Sequence, residues 1–97
     1  MRVIYVDIDE TIANTPDDRD YYKSTPRKDM IEKINKLYDE GNEIVYWTAR
    51  GSRTGINWYD LTKKQLITWG AKHHELRWYK PYYDVFYDDK TMRIEEL

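Results

Sequence analysis

The chain has 97 residues, of which 35% are charged and 15% aromatic, and its formal net charge is −2. This length accommodates a single domain with a small core, and the near balance of charge gives no global attraction to nucleic acid or to anionic membranes. The absence of cysteine excludes a disulfide framework, a thiol nucleophile and a cysteine zinc site. No signal peptide or apolar run of membrane-spanning length is visible, so we expect a soluble cytoplasmic protein.

The first predicted element is a central, buried strand over residues 2–8, and Asp7 and Asp9 lie at its carboxyl end. Residues two apart share one face of a strand, and charged groups at the end of a buried strand belong in a crevice at the sheet edge. Two close carboxylates repel each other, and Mg²⁺ is the hard cation that suits oxygen ligands. A metal that holds a carboxylate beside a phosphate makes that carboxylate a credible nucleophile, although an isolated Asp-x-Asp is more often a solvated turn.

A polar loop follows over residues 14–27, and Thr25-Pro26 predicts the start of a helix that stops at Gly41. Residues 43–47 then form a second buried strand. The two strands and the helix make a βαβ unit with parallel strands. Thr48 and Arg50 therefore reach the same sheet edge as the two aspartates, where a hydroxyl and a guanidinium suit phosphate oxygens. The alternatives are a turn residue for Thr48 and a surface charge for Arg50.

The second half of the chain predicts a short loop and then a helix over residues 58–69 with Leu61, Leu66 and Trp69 on its inner side. We interpret His73-His74 as a polar loop pair rather than a metal site, because no third His or Cys supports one.

A short strand over residues 76–79 and a further strand over residues 83–87 complete the predicted elements. Lys80 lies between these two strands. Asp88-Asp89 follows the second of them, and we expect this acidic pair at the same carboxyl edge as Asp7.

These segments resemble the haloacid dehalogenase-like phosphohydrolase superfamily, whose four motifs have counterparts here in the right order. The counterparts are Asp7-Ile8-Asp9-Glu10-Thr11, Thr48 after its strand, Lys80, and Asp88-Asp89. The resemblance implies a three-layer, Rossmann-like α/β fold with a parallel sheet flanked by helices. Residue 10 departs from the pattern, because many members have glycine where this chain has Glu10.

The resemblance also implies roles for these residues. Asp7 would be the nucleophile and Asp9 the general acid and base, while Thr48 and Lys80 would hold phosphate oxygens. Arg50 would be an additional substrate contact. Mg²⁺ would be bound by Asp7, Asp9 and Asp88, with Asp89 as a direct or water-mediated ligand.

Within the superfamily the chain looks like the small phosphatases of capsular polysaccharide biosynthesis and sugar-phosphate metabolism. Both usual insertion points for a cap domain are short here, so the resemblance implies a minimal, capless enzyme. An open site either accepts bulky substrates or borrows a lid from a neighbouring subunit, and the aromatic composition makes a homo-oligomer a reasonable hypothesis.

The leading hypothesis is thus a Mg²⁺-dependent phosphomonoesterase that acts on a sugar phosphate or a related metabolite. One alternative is a nucleotidase or polynucleotide 3′-phosphatase, in which Tyr21, Tyr22 and Trp58 could stack on bases. An alternative of another class is a non-catalytic metal- or phosphate-binding module. A phosphotransferase or mutase is disfavoured because no cap holds and reorients an intermediate.

Overall fold

The computed structural model describes residues 1–97 as an α/β fold with five strands and two α-helices. The strands are β1 (Val3–Val6), β2 (Ala13–Asn14), β3 (Thr25–Pro26), β4 (Glu43–Trp47) and β5 (Glu75–Arg77). The helices are α1 (Lys28–Asp39) and α2 (Tyr59–Thr68), and single 3₁₀ turns span Tyr21–Lys23 and Ile94–Glu96.

The main sheet is parallel, with β4 at its centre and the order β1-β4-β5. In its register Val6 pairs with Tyr46, and Trp47 pairs with Arg77, so the carboxyl ends of all three strands meet at one edge. The predicted βαβ unit is confirmed, and a second unit built on α2 follows it. This arrangement places the residues after β1, β4 and β5 side by side.

β1 lies at the edge of the sheet, which corrects the prediction of a central strand covered on both faces. Val3 and Tyr5 are 56% and 46% exposed, whereas Val6 is buried. An apolar run alone does not distinguish a central strand from an edge strand whose outer face remains open.

α1 buries Met30, Ile31 and Ile34, as its apolar spacing predicts. It begins later than predicted, because Thr25 and Pro26 form β3, which pairs antiparallel with β2. No side chain caps the first turn of the helix.

α2 contributes Leu66 to the core, but it also buries two polar side chains, Thr62 and Gln65. Leu61 and Trp69, which the sequence places on its inner side, are only half-buried.

The predicted strand over residues 83–87 is wrong. These residues form no strand, and Val85 and Tyr87 are 63% and 93% exposed. The segment has the composition of a strand, but it is not paired with either edge of the main sheet. Propensity for β-structure mostly reflects packing on a half-buried surface, which this segment lacks here.

The core is one cluster of eleven buried side chains drawn from both halves of the chain. Ile8 and Ile12, in the loop after β1, are fully buried members of this cluster. Neither helix is long and apolar enough to cross a membrane.

Candidate active site

The loop that follows β1 is a tight turn fixed by backbone hydrogen bonds and by two core side chains. The carbonyl of Ile8 accepts hydrogen bonds from the N–H groups of Thr11, Ile12 and Ala13, at 3.1, 2.9 and 3.2 Å. Because Ile8 is completely buried, the aspartates on either side of it are held at the sheet edge rather than in a mobile loop. The turn therefore positions both carboxylates.

Asp7 lies between two donor groups. The ammonium of Lys80 is 3.5 Å from Asp7 Oδ1, and the Thr11 hydroxyl donates to Asp7 Oδ2 at 3.3 Å. Burial raises the pKa of Asp7 above its usual value, and the positive charge of Lys80 opposes that shift. The repulsion from Asp9 adds a smaller upward contribution to the same pKa.

Lys80 is held in place by backbone contacts with the loop after β4. Its N–H donates to the Thr48 carbonyl at 3.1 Å, and its carbonyl accepts from the Ser52 hydroxyl at 2.7 Å. The ammonium also lies over the rings of Trp47 and Tyr83, at 5.8 and 5.6 Å from their centroids. These contacts explain how a residue beyond β5 reaches the carboxylate beyond β1.

Thr48 is buried directly after β4. Its hydroxyl oxygen accepts the N–H of Arg50 at 3.1 Å, a local turn contact. The hydroxyl proton is not engaged by any protein acceptor, so it remains free to donate to a substrate oxygen.

Arg50 does not project into open space as a substrate-binding residue would. Its side chain is completely buried and makes five hydrogen bonds, two of them to Asp9. A guanidinium has five N–H groups, so none is left for a substrate. The structure therefore does not place Arg50 for the predicted substrate contact, because all of its side-chain N–H groups have partners inside the protein.

Gly51, the residue after Arg50, lies where the backbone approaches Ile56 closely. Its φ is +81°, and a Cβ at this position would lie 2.1 Å from the carbonyl oxygen of Ile56. Only glycine fits such a close backbone approach.

Asp9 accepts hydrogen bonds at both carboxylate oxygens. The Nη2 and Nε groups of Arg50 donate to Oδ1 and Oδ2 at 2.8 and 3.0 Å, and the Thr15 hydroxyl also donates to Oδ1. A carboxylate has about four acceptor positions, so the one that remains free is on Oδ2.

The structure does not bring Asp88 and Asp89 to this site. Both residues lie on the exposed segment after β5, and no group of three or more His, Asp or Glu side chains that could hold a metal is present. The predicted joining of Asp7 and Asp9 with this second acidic pair depended on the strand over residues 83–87, which does not form.

The two histidines have structural contacts. His74 Nδ1 accepts the Ile44 N–H at 3.1 Å, and its ring stacks on Tyr38. His73 Nδ1 lies 2.8 Å from the Ala71 carbonyl. These contacts agree with the interpretation of the pair as polar connecting residues.

Sequence reasoning missed four polar residues that surround Arg50 and Asp9. They are Thr15, Ser24, Thr62 and Gln65. Thr62 and Gln65 are three residues apart on one helical face, next to the core residue Leu66, and this spacing was a usable signal. Thr15 and Ser24 flank the loop before α1 and carried no comparable signal.

Aromatic side chains form a rim beside the site. Trp58 packs edge-on against Tyr21 and Tyr22, with ring centroids 5.1 and 5.6 Å apart. The Tyr21 ring also covers the guanidinium of Arg50 at 4.6 Å, whereas Tyr22 is 72% exposed. The three aromatic residues noted in the sequence therefore do lie together.

An open cavity of about 240 Å³ lies beside the loop that follows β4. Its walls include Gly51, Asn57, Trp78 and Tyr79.

No protein-family model matches the chain, and no curated protein matches it. Among solved structures, the chain is similar to the crystal structure of an MCSG target from Vibrio cholerae. The two are 32% identical with a TM-score of 0.86, and the match covers 99% of this chain and 86% of that one. The two proteins belong to one family. The similarity supports the α/β architecture with its parallel sheet.

Proposed function

We propose that this protein is a phosphomonoesterase of the haloacid dehalogenase-like superfamily that works through an aspartyl-phosphate. The observation that carries the proposal is the pairing of Asp7 with Lys80 at the carboxyl edge of the parallel sheet, with Asp9 in the same turn. A carboxylate, a neighbouring cation and a second carboxylate are the groups needed for nucleophilic attack on phosphorus with proton transfer.

In the first step an oxygen of Asp7 attacks the phosphorus and the bond to the ester oxygen breaks. Asp9, which enters this step protonated at the free position on Oδ2, gives that proton to the leaving oxygen. In the second step Asp9 takes a proton from water as the water oxygen attacks the phosphorus, which releases phosphate and restores Asp7. Lys80 and the Thr48 hydroxyl hold the non-bridging oxygens, and Lys80 keeps Asp7 oriented.

We propose Mg²⁺ as a partner of the substrate, although Asp88 and Asp89 lie away from Asp7 and Asp9 in this structure. Mg²⁺ is commonly held by one or two carboxylates, with waters and substrate phosphate completing its shell. Here the Asp7 carboxylate and the main-chain carbonyl of Asp9 would hold the ion, and burial of Asp7 beside Asp9 gives a site that a cation stabilises. When bound there, the ion would offset the repulsion between the nucleophilic carboxylate and the phosphate. Asp88 and Asp89 join this set only if the segment that carries them moves.

The substrate proposed is a sugar phosphate or a related metabolite. The open cavity beside the site is lined by the aromatic residues Trp78 and Tyr79 and by the polar residue Asn57, which are residue types that suit a sugar ring.

The test is phosphate release from p-nitrophenyl phosphate with and without Mg²⁺, for the wild type and for Asp7→Asn. We expect Mg²⁺-dependent turnover by the wild type and a loss of at least ~10³-fold in the variant, as for other nucleophile deletions. Activity should also fall at acidic pH, because both Mg²⁺ binding and attack on phosphorus require unprotonated Asp7.

Lys80→Arg is a second probe of the site, since it keeps a positive charge near Asp7 and should retain part of the activity. An Asp7→Asn protein as active as the wild type would contradict the proposal. Absence of turnover together with Mg²⁺ or phosphate binding would favour a non-catalytic binding module.

A second candidate is a nucleotidase or polynucleotide 3′-phosphatase, which the aromatic rim of Tyr21, Tyr22 and Trp58 favours. Stacking of a base on an exposed aromatic ring contributes about 1–3 kcal/mol. If this candidate is correct, a 3′-phosphorylated oligonucleotide should be a better substrate than a sugar phosphate. Tyr22→Ala should then raise KM for the oligonucleotide and leave the sugar phosphate unaffected.

A further inference from the structure

Arg50 is a charged side chain with 0% exposure, which is costly unless every part of it is paired. Its Nε and Nη2 groups hold the two oxygens of Asp9, and Nη2 also reaches the Ser24 hydroxyl at 3.4 Å. Nη1 donates to Thr62 Oγ1 at 3.1 Å and to Gln65 Oε1 at 2.6 Å. The guanidinium thus bridges the catalytic turn and α2.

The groups that hold Arg50 are themselves fixed. The Thr62 hydroxyl donates to the Trp58 carbonyl at 2.7 Å, within α2. Gln65 Nε2 donates to the Tyr21 carbonyl at 2.7 Å, so α2 is tied to the loop before α1. The orientation of the guanidinium is therefore set by two separate parts of the chain.

This network determines how Asp9 is presented. A planar guanidinium that binds a carboxylate at two points fixes both its position and its rotation. Because Thr15 and Arg50 occupy three acceptor positions, proton exchange is directed to the remaining position on Oδ2. A lysine at position 50 could supply charge but not this two-point contact.

We propose that Arg50 is a positioning residue, which aligns Oδ2 of Asp9 with the leaving-group oxygen of the substrate. This role rests on the proposed phosphomonoesterase function. It replaces the direct substrate contact expected from the sequence with an action through Asp9. The proton still travels between Asp9 and the leaving oxygen or water, and Arg50 only sets the geometry of that transfer.

The test compares two substrates that differ in their need for proton donation. p-Nitrophenolate leaves readily without a proton, whereas the alkoxide of glycerol 1-phosphate does not. The quantity is kcat/KM, which reports the steps up to release of the alcohol. Since general acid catalysis contributes about 10²–10⁴-fold, Arg50→Gln should lower kcat/KM for glycerol 1-phosphate at least about tenfold more than for p-nitrophenyl phosphate.

Arg50→Lys is the second variant, for use if Arg50→Gln does not fold. It keeps a cation beside the buried carboxylate of Asp9. We expect the same selective loss for Arg50→Lys. In an Asp9→Asn background, replacing Arg50 should lower kcat/KM little further, since both changes remove the same function, which is proton donation by Asp9. Ile44→Val is the control for general destabilisation, because this buried core residue makes no hydrogen bond with Arg50 or Asp9, and it should leave the ratio of the two kcat/KM values unchanged.

If Arg50→Lys lost kcat/KM equally on both substrates, the ratio of the two values would be the same as in the wild type. That result would overturn the positioning role while the phosphatase activity stood. A wild type that hydrolyses neither substrate would instead contradict the proposed function, and the role of Arg50 would fail with it.

Discussion

Glu10 adopts a backbone conformation that favours glycine, with φ of +63°. Its side chain offsets part of this strain, because it accepts the Thr15 N–H and pairs with Arg19, each at 3.2 Å. Compared with the glycine that many haloacid dehalogenase-like proteins have here, Glu10 loses backbone freedom but gains side-chain contacts in the turn after β1. It also places a carboxylate beside the site, where it orders the loop that carries Thr15.

The strain at residue 10 can be measured with two substitutions. Glu10→Ala removes the contacts and keeps the strain, whereas Glu10→Gly removes both. A left-handed conformation costs a non-glycine residue about 1–2 kcal/mol. Urea unfolding should therefore show Glu10→Gly to be more stable than Glu10→Ala by about 1 kcal/mol. Equal stabilities would show that the turn is not strained at this residue.

Arg50 shows why part of the site was not predictable at the scale of single residues. The sequence alone does not distinguish a buried arginine from a surface arginine, because only the surrounding hydrogen-bond acceptors in the fold differ. The positions of Asp7, Thr48 and Lys80 could be predicted from the sequence, because each follows or precedes an element with a clear apolar pattern. The partners of Arg50 come from three separate segments, and a spacing rule connects only Thr62 and Gln65 on α2.

At the scale of elements, the sequence predicted β4 at the observed residues and α1 and α2 to within a few residues. Their apolar periodicity is strong, and glycine stops α1 at Gly41, where φ is +95°. The two-residue strands β2 and β3 were missed because they are too short to show a period. The segment over residues 83–87 was misassigned because local composition does not reveal whether a sheet edge receives it.

Within β4, Tyr46 is fully buried, and its hydroxyl is the buried side-chain polar atom without a hydrogen-bond partner. Burial raises the pKa of this phenol well above its usual value. An unsatisfied buried polar group costs about 1–3 kcal/mol, so Tyr46→Phe should stabilise the protein by about 1 kcal/mol in urea unfolding. Tyr5→Phe is the matched control, since the Tyr5 hydroxyl is paired with Arg77 and should give no gain. A destabilised Tyr46→Phe protein would indicate that the hydroxyl has a partner in solution.

At the scale of the whole molecule, the chain divides into an ordered α/β body and an exposed segment after Lys80. No backbone N–H over residues 82–92 donates to a backbone carbonyl, and Tyr82, Val85, Phe86 and Tyr87 are exposed. This segment carries Asp88 and Asp89 and much of the exposed apolar surface. The hypothesis of a homo-oligomer concerns this surface, and sedimentation showing only monomer at tens of micromolar would remove it.

Hydrogen exchange should distinguish the two parts of the molecule. Amides over residues 82–92 should exchange at nearly unprotected rates in the free protein, whereas those of β4 should be strongly protected. Protection of the segment in the free protein would contradict the arrangement described. Protection that arises only with Mg²⁺ and vanadate would show that the segment closes on the site and brings Asp88 and Asp89 with it.

The central claim is that Asp7 becomes phosphorylated, and trapping that species tests it most directly. The protein is mixed with p-nitrophenyl phosphate and Mg²⁺, quenched in acid within a turnover, and digested for mass spectrometry. We predict a phosphoryl group on the peptide that contains Asp7, sensitive to hydroxylamine and absent from Asp7→Asn. Turnover without any phosphorylated peptide, or with phosphate on another residue, would contradict the account.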